Sequence, residues 1–239
     1  MESIENKNKV MNKFEDYFWN KNKKLKVHKW HHYFKIYDLH FKRFIGKNPI
    51  ILEIGVSKGG SLEMWNSYFN DKCQIYGIDI NKKCLNVPNI LEADNIKVDI
   101  GDQGNRNFCK EYLKDKPKFD IVIEDGGHKM SQQIVTYEEL IDHVSDNGVY
   151  LCEDLHTSYW EKFGGQLRNQ NTFIEYSKNF IDMLNYYHIQ SKGSIKKLNE
   201  KEDKIYSKFR RMIHSVHYYD SIVVLELNKD DKPPQATVR

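Results

Sequence analysis

Six acidic residues stand where short apolar runs stop. Glu53, Asp79, Asp102, Asp125, Glu153 and Asp154 each fall at or just beyond the end of a stretch that reads as a β-strand. Carboxylates are costly near a core unless they are paired or ligating. The rim therefore calls for a ligand with positive charge, hydroxyl donors or both. The densest segments are Asp125-Gly126-Gly127-His128 and Cys152-Glu153-Asp154-Leu155-His156. Three carboxylates from two neighbouring strand ends can converge on one point, and oxygen ligands without thiolates suit a hard cation such as Mg²⁺ or Mn²⁺. Any one of the three acids could instead cap a helix or a turn; capping is a poor explanation for all three beside a histidine. Glu124 adjoins Asp125, and the sequence leaves open which of the two faces the ion. His128, three residues past Asp125, is placed to act as a general base on a metal-bound hydroxyl. His156 is the competing base and, alternatively, a substrate contact.

Upstream, Glu53-Ile54-Gly55-Val56-Ser57-Lys58-Gly59-Gly60 forms a glycine-rich turn after a strand. It is not the G-x-G-x-x-G pyrophosphate loop, because the second glycine is missing and an acid precedes the first. Its glycines still permit a tight turn and close approach of backbone to ligand, and Glu53 favours a cationic group. Asp79, ending the next strand, is placed to accept from two ribose hydroxyls. Together the two signals read as a nucleotide site.

The elements that must position these residues alternate. Strands are expected at 50–54, 74–78, 96–100, 119–123 and 148–152, with helices over 60–69 and 131–144. One more helix is expected over 172–187, and a closing antiparallel hairpin from 212–219 and 222–227. Alternation of this kind predicts an α/β fold with a mostly parallel sheet and helices on both faces. Residues 1–48 read as an N-terminal helical extension in which Trp30, Phe34, Tyr37 and Phe41 share one helical stripe. Residues 49–229 form the main domain, and 230–239 a loose tail.

Composition narrows the classes. Hydrophobic residues at 39% and aromatics at 13% of 239 residues exclude a disordered chain. Lys and Arg total 37 against 34 Asp and Glu, a net charge of +3 that gives no reason to expect wholesale phosphate-backbone binding. Cys73, Cys84, Cys109 and Cys152 form no C-x-x-C pair, which argues against a zinc ribbon or a disulfide framework and for a reducing compartment. No run approaches the roughly 18 apolar residues of a membrane helix. The start, Met1-Glu2-Ser3-Ile4-Glu5, does not read as a signal peptide. A cytoplasmic protein is expected.

These residues resemble the class I S-adenosylmethionine-dependent methyltransferases and, more narrowly, the metal-dependent sugar O-methyltransferases of macrolide biosynthesis. The matching stretches are His28-Lys29-Trp30 through Phe41, Leu52 to Val56 with Gly59-Gly60-Ser61-Leu62, and Tyr76-Gly77-Ile78-Asp79. Gly101-Asp102-Gln103, Asp125 to His128, and Glu153 to Trp160 complete them. The resemblance implies a Rossmann-like class I methyltransferase fold. It implies that Glu53, Gly55 and Ser61 meet the methionine part of the cofactor, Asp79 its ribose, and Asp102 and Gln103 its adenine. It implies Mg²⁺ held by Asp125, Glu153 and Asp154, His128 as base, and His156 and Tyr159 toward the substrate. Where that family tends to have Asp-Asp-Gly-Ser-His, this chain has Glu124-Asp125-Gly126-Gly127-His128. The family also carries a longer N-terminal auxiliary domain. Without it, the expected acceptor is a nucleotide-activated or glycan sugar of surface polysaccharide assembly rather than a large macrolide. A homo-oligomer is expected, with no nucleic acid or membrane partner. The rival readings are an O-methyltransferase of a phenolic, catechol or antibiotic small molecule, a cephalosporin hydroxylase-like enzyme, and a nucleotide- or RNA-binding module using the basic N-terminal helix.

Overall fold

The computed structural model describes residues 11–189, 199 and 213–228. The chain divides into two compact units, 1–100 and 101–239.

In the first unit, three parallel strands lie in the order β3-β2-β1. They are β1 (Ile50–Ile54), β2 (Gln74–Asp79) and β3 (Ile96–Ile100). Leu52 pairs with Tyr76 and Glu53 with Gly77 across the first ladder, and Gly77 with Val98 across the second. The near-continuous apolar run of β1 is what a strand buried on both faces requires. Helix α1 (Lys13–Asn20) opens with a capping box, in which Asn12 Oδ1 accepts from the Glu15 amide at 2.9 Å. The Glu15 carboxylate in turn accepts from the Asn12 amide at 3.0 Å. Helices α2 (Tyr33–Phe41) and α3 (Gly60–Tyr68) follow, and the short α4 (Val87–Leu91) precedes β3.

The aromatic stripe of the N-terminal region has a partner: the Trp65 ring of α3 is wholly buried. It meets Phe14 at 5.4 Å, Tyr37 at 4.9 Å and Phe41 at 5.9 Å, all edge-on. Phe14 also stacks on Tyr68 at 3.8 Å. Trp30 does not belong to this stripe. The helix starts only at Tyr33, whose amide closes a turn onto the Trp30 carbonyl, and the indole is 55% exposed. Tyr33 and Ile36 take its place on the buried face. Trp65→Ala is expected to cost about 3–5 kcal/mol of stability, read as a fall in the urea midpoint at unchanged slope.

In the second unit the strand order is β4-β5-β7-β6. The strands are β4 (Phe119–Glu124), β5 (Val144–Cys152), β6 (Ile213–Tyr219) and β7 (Ile222–Leu227). β4 and β5 run parallel, with Glu124 opposite Cys152, whereas β7 is antiparallel to both β5 and β6. The expected hairpin is therefore present, turning at Asp220-Ser221 with Ser221 at φ 65°. Helix α5 (Arg106–Leu113) was not anticipated, although Asn105 caps it by accepting from the Asn107 and Phe108 amides. Helix α6 (Met130–Leu140) stops before the expected Val144, because residues 141–143 tighten into a 3₁₀ turn and Val144 already enters β5. The helix expected over 172–187 is broken into α7 (Phe173–Ser177), α8 (Asn179–Leu184) and α9 (Tyr186–Ile189). The side-chain amides of Asn179 and Asn185 donate to the Tyr176 and Ile181 carbonyls at those breaks. The four cysteines are free and buried. No helix among the described residues is long and apolar enough to cross a membrane. The expected tail, 230–239, lies outside the described residues.

Candidate active site

The first unit carries the glycine-rich turn. Glu53, at the end of β1, is fully buried, and its Oε2 accepts from Ser61 Oγ at 2.8 Å. Lys29 Nζ lies 3.8 Å from Glu53 Oε1, with only 3% of the lysine side chain exposed, and 5.8 Å from the Trp65 ring. Gly55 has φ 96°, a value only glycine holds without strain, and its amide donates to the Ile78 carbonyl at 2.8 Å. Asp79 Oδ2 accepts from the Ser57 amide and Oδ1 from the Asn81 amide, each at 2.8 Å. The structure thus joins Glu53 to Ser61, and Asp79 to the turn that starts at Gly55.

The second unit carries the other group. Donor atoms of Asp125, His128 and Asp154 all lie within 4.8 Å of one another. His128 Nε2 stands 3.8 Å from Asp125 Oδ1 and 3.5 Å from Asp154 Oδ2. Each of the three side chains is about one-fifth exposed, so the group is reachable from solvent yet partly desolvated. His128 and Asp154 both adopt left-handed backbone, each at φ 55°. That conformation is uncommon for a residue with a Cβ and marks a loop held by its surroundings. The Thr157 hydroxyl provides one restraint, lying 2.7 Å from the Asp154 carbonyl and 3.3 Å from that of His128.

Burial separates Glu124 from Asp125. Glu124 is fully buried and turned into the interior, while Asp125 belongs to the half-buried group. Loss of solvent pushes the Glu124 carboxyl above its ordinary range, against donors at Cys152 Sγ (2.9 Å) and Gln103 Nε2 (2.6 Å) that act the other way. Burial likewise raises the Cys152 thiol, beside the Glu124 charge. Glu153 is not in the Asp125–His128–Asp154 group. It is 1% exposed, and its amide donates to the Glu124 carbonyl at 2.9 Å, extending the β4–β5 ladder by one residue before Asp154 turns outward.

Of the other expected positions, Asp102 is exposed and accepts from the Gly104 amide at 2.8 Å. Gln103 is buried, with its carboxamide engaged inside the unit. His156 is held by Ser221, which contacts both its ring Nδ1 and its amide, and is not in the group with His128. Tyr159 is half-exposed. Two aromatic residues outside the expected set flank the group. Phe163 lies 6.2 Å from the His128 ring, and Trp160 lies 6.1 Å from Phe163 and 4.5 Å from His156. The exposed Trp160, at the end of the Glu153–Trp160 stretch, was the available signal for this wall.

Two carboxylates are a donor set that fits a divalent cation, with the His128 imidazole beside them as a neighbouring base, and oxygen donors favour Mg²⁺ or Mn²⁺ over softer metals. A buried acid beside a glycine turn and a second-strand acid suit a ligand with an ammonium or sulfonium end and a ribose. The comparisons with known proteins agree with this chemistry. The chain is 31% identical over 206 residues to the mycinamicin VI 2''-O-methyltransferase of Micromonospora griseorubida, covering 82% of this chain and 48% of that one. It is 33% identical over 160 residues to the demethylmacrocin O-methyltransferase of Streptomyces fradiae, covering 63% and 39%. The chain thus spans no more than about half the length of these curated relatives. Among solved structures, the MycE methyltransferase of the mycinamycin biosynthetic pathway, in complex with Mg and SAH, matches with a TM-score of 0.72 and 30% identity. That match covers 89% of this chain and 52% of that chain. The Rossmann-like methyltransferase fold expected from the sequence is therefore the fold of this chain. Residues 27–175, more than half of its length, match the model of one family. The chain belongs to the FtsJ-like methyltransferase family.

Proposed function

We propose that this protein is a metal-dependent O-methyltransferase that moves a methyl group from S-adenosylmethionine to a sugar hydroxyl. The observation that carries the reading is the convergence of Asp125, His128 and Asp154 on one partly buried point. The names of the relatives support the acceptor class: they are O-methyltransferases acting on a mycinamicin, on demethylmacrocin and on rhamnosyl tetracenomycins. The finer reading is a nucleotide-activated or glycan sugar in polysaccharide assembly.

A sulfonium is already an excellent leaving group, so the difficulty of the reaction lies in the nucleophile, a weakly acidic alcohol. Asp125 and Asp154 would hold the divalent cation, with Glu153 next to Asp154 in the chain. When bound, that ion supplies positive charge that lowers the pKa of a neighbouring hydroxyl. His128 takes the hydroxyl proton at Nε2, the ring atom facing both carboxylates. A positioned base of this kind gives roughly 10²–10⁴-fold. Glu53 and Ser61 receive the methionine part of the cofactor, and Asp79 its ribose. In-line orientation of oxygen, methyl carbon and sulfur can supply about 7–11 kcal/mol of the barrier of such a displacement. Trp160 and Phe163 offer aromatic faces to the apolar side of a pyranose ring.

The test is methyl transfer from labelled S-adenosylmethionine to a panel of nucleotide sugars, rhamnosides and catechols, with and without Mg²⁺. Mg²⁺-dependent labelling of a sugar is the expected result, and nucleotide sugars are expected to lead the panel. Labelling of catechols alone, or full activity in excess EDTA, would overturn it.

A further inference from the structure

The loop that bears Asp125 and His128 is clamped from beneath by one side chain, that of Gln103. Its Oε1 accepts from the Gly127 amide at 2.8 Å. Its Nε2 donates to Glu124 Oε1 at 2.6 Å and lies 3.0 Å from Thr136 Oγ1. The carboxamide orientation follows from these partners, because only the oxygen end can accept from a backbone amide. Gln103 is 7% exposed, and both Glu124 and Thr136 are fully buried. Gly126 shows how closely the clamp fits. A Cβ there would stand 1.7 Å from Gln103 Oε1, and that oxygen cannot swing away without giving up the Gly127 amide.

The clamp continues to the second loop. Glu124 Oε2 accepts from Cys152 Sγ at 2.9 Å, and Cys152 is followed directly by Glu153 and Asp154. Gln133 Nε2 contacts the Glu153 carbonyl at 3.3 Å and Cys152 Sγ at 3.5 Å. A buried chain of polar groups therefore runs from Gln103 through Glu124 to the end of β5. It supports the two loops on which His128 and Asp154 adopt left-handed backbone. Strained conformations of this kind persist only where the surroundings over-determine them.

We infer that Gln103, acting through Glu124 and the Gly127 amide, is a positioning residue that sets the spacing of Asp125, His128 and Asp154 for a divalent cation. Both ends of its carboxamide are engaged inside the unit. The inference rests on the metal-site reading proposed above. Partners of this outer kind typically govern metal affinity by roughly 10–100-fold.

The experiment exchanges donor and acceptor across the 2.6 Å bond. Gln103→Glu alone sets two buried carboxyl groups against each other, whereas Gln103→Glu with Glu124→Gln restores one donor, one acceptor and the original charge. Three readouts are taken on the full chain: Mn²⁺ affinity from the electron paramagnetic resonance of free Mn²⁺, S-adenosylhomocysteine affinity by calorimetry, and hydrogen exchange at the Gly127 amide. Gln103→Glu is expected to weaken Mn²⁺ binding by about tenfold or more and to speed Gly127 exchange. The double variant is expected to recover both, with S-adenosylhomocysteine affinity unchanged throughout. If Gln103→Glu does not accumulate as folded protein, Gln103→Met supplies the loss arm. Weakened S-adenosylhomocysteine binding with Mn²⁺ affinity intact would overturn the inference, as would a double variant no better than the single one. Failure of the wild-type chain to bind Mn²⁺ would instead sink the metal-site reading. The Gly127 exchange rate would then still decide whether Gln103 holds the loop, and an unchanged rate in Gln103→Glu would overturn the clamp by itself.

Discussion

Asp125→Ala is expected to remove methyl transfer while S-adenosylhomocysteine binds as tightly as before. Asp125 contributes the oxygen nearest to His128 Nε2 on the β4 side of the group, and Asp154 the one on the β5 side, at 3.8 and 3.5 Å. With one of two carboxylates gone, a hard cation loses half of the anionic charge that the group presents. The ion's charge is worth several kcal/mol in the transition state, and about 1.4 kcal/mol is a factor of ten in rate. Turnover should therefore fall on the order of 10³-fold. Cofactor affinity should not follow, because the residues assigned to the methionine and ribose parts, Glu53, Ser61 and Asp79, belong to the other unit and make their own contacts there. Stopped-flow or discontinuous labelling gives the rate, and calorimetry the affinity. A variant that keeps its rate would remove Asp125 from the reaction. One that loses cofactor and rate together would make it part of a shared scaffold.

His128→Ala is the second large effect, expected at roughly 10²–10⁴-fold in kcat. The imidazole is separable from the carboxylates in principle, since it faces them from a turn with its own left-handed backbone. If it is the base, Mn²⁺ affinity in the variant should stay within about threefold of wild type, because an imidazole at 3.5–3.8 Å from both oxygens is a neighbour of the ion and the acids hold it. A loss of Mn²⁺ affinity matching that of Asp125→Ala would reassign His128 as a ligand, and an unchanged kcat would remove it as a base.

The scaffold was legible because buried parallel strands announce themselves. Ile50–Ile54 and Phe119–Glu124 read as apolar runs with an acid at or next to the last position, and their ends locate the functional rim without any side-chain geometry. The grouping within the rim was less legible. Asp125 and Asp154 meet because Asp154 takes φ 55°, and no periodicity signals left-handed backbone at a residue with a Cβ. Glu153, one residue earlier, carries the ladder on and stays buried. Gln103 shows the same limit from the other direction. Its place beside Asp102 suggested a ligand contact, but the direction of its carboxamide is set by Glu124, Gly127 and Thr136, partners at least 21 residues away. Trp30 failed for a local reason: three residues that form a turn were credited to the helix, and the indole left the face on which Phe34, Tyr37 and Phe41 are buried.

Crystals of the full chain soaked in Mn²⁺ and measured at the manganese absorption edge give the most direct test of the metal centre. One anomalous peak is expected, bonded to carboxylate oxygens of both Asp125 and Asp154, at about 2.0–2.3 Å. A map with no peak at this group, or with Asp125 turned away from an ion held elsewhere, would contradict it.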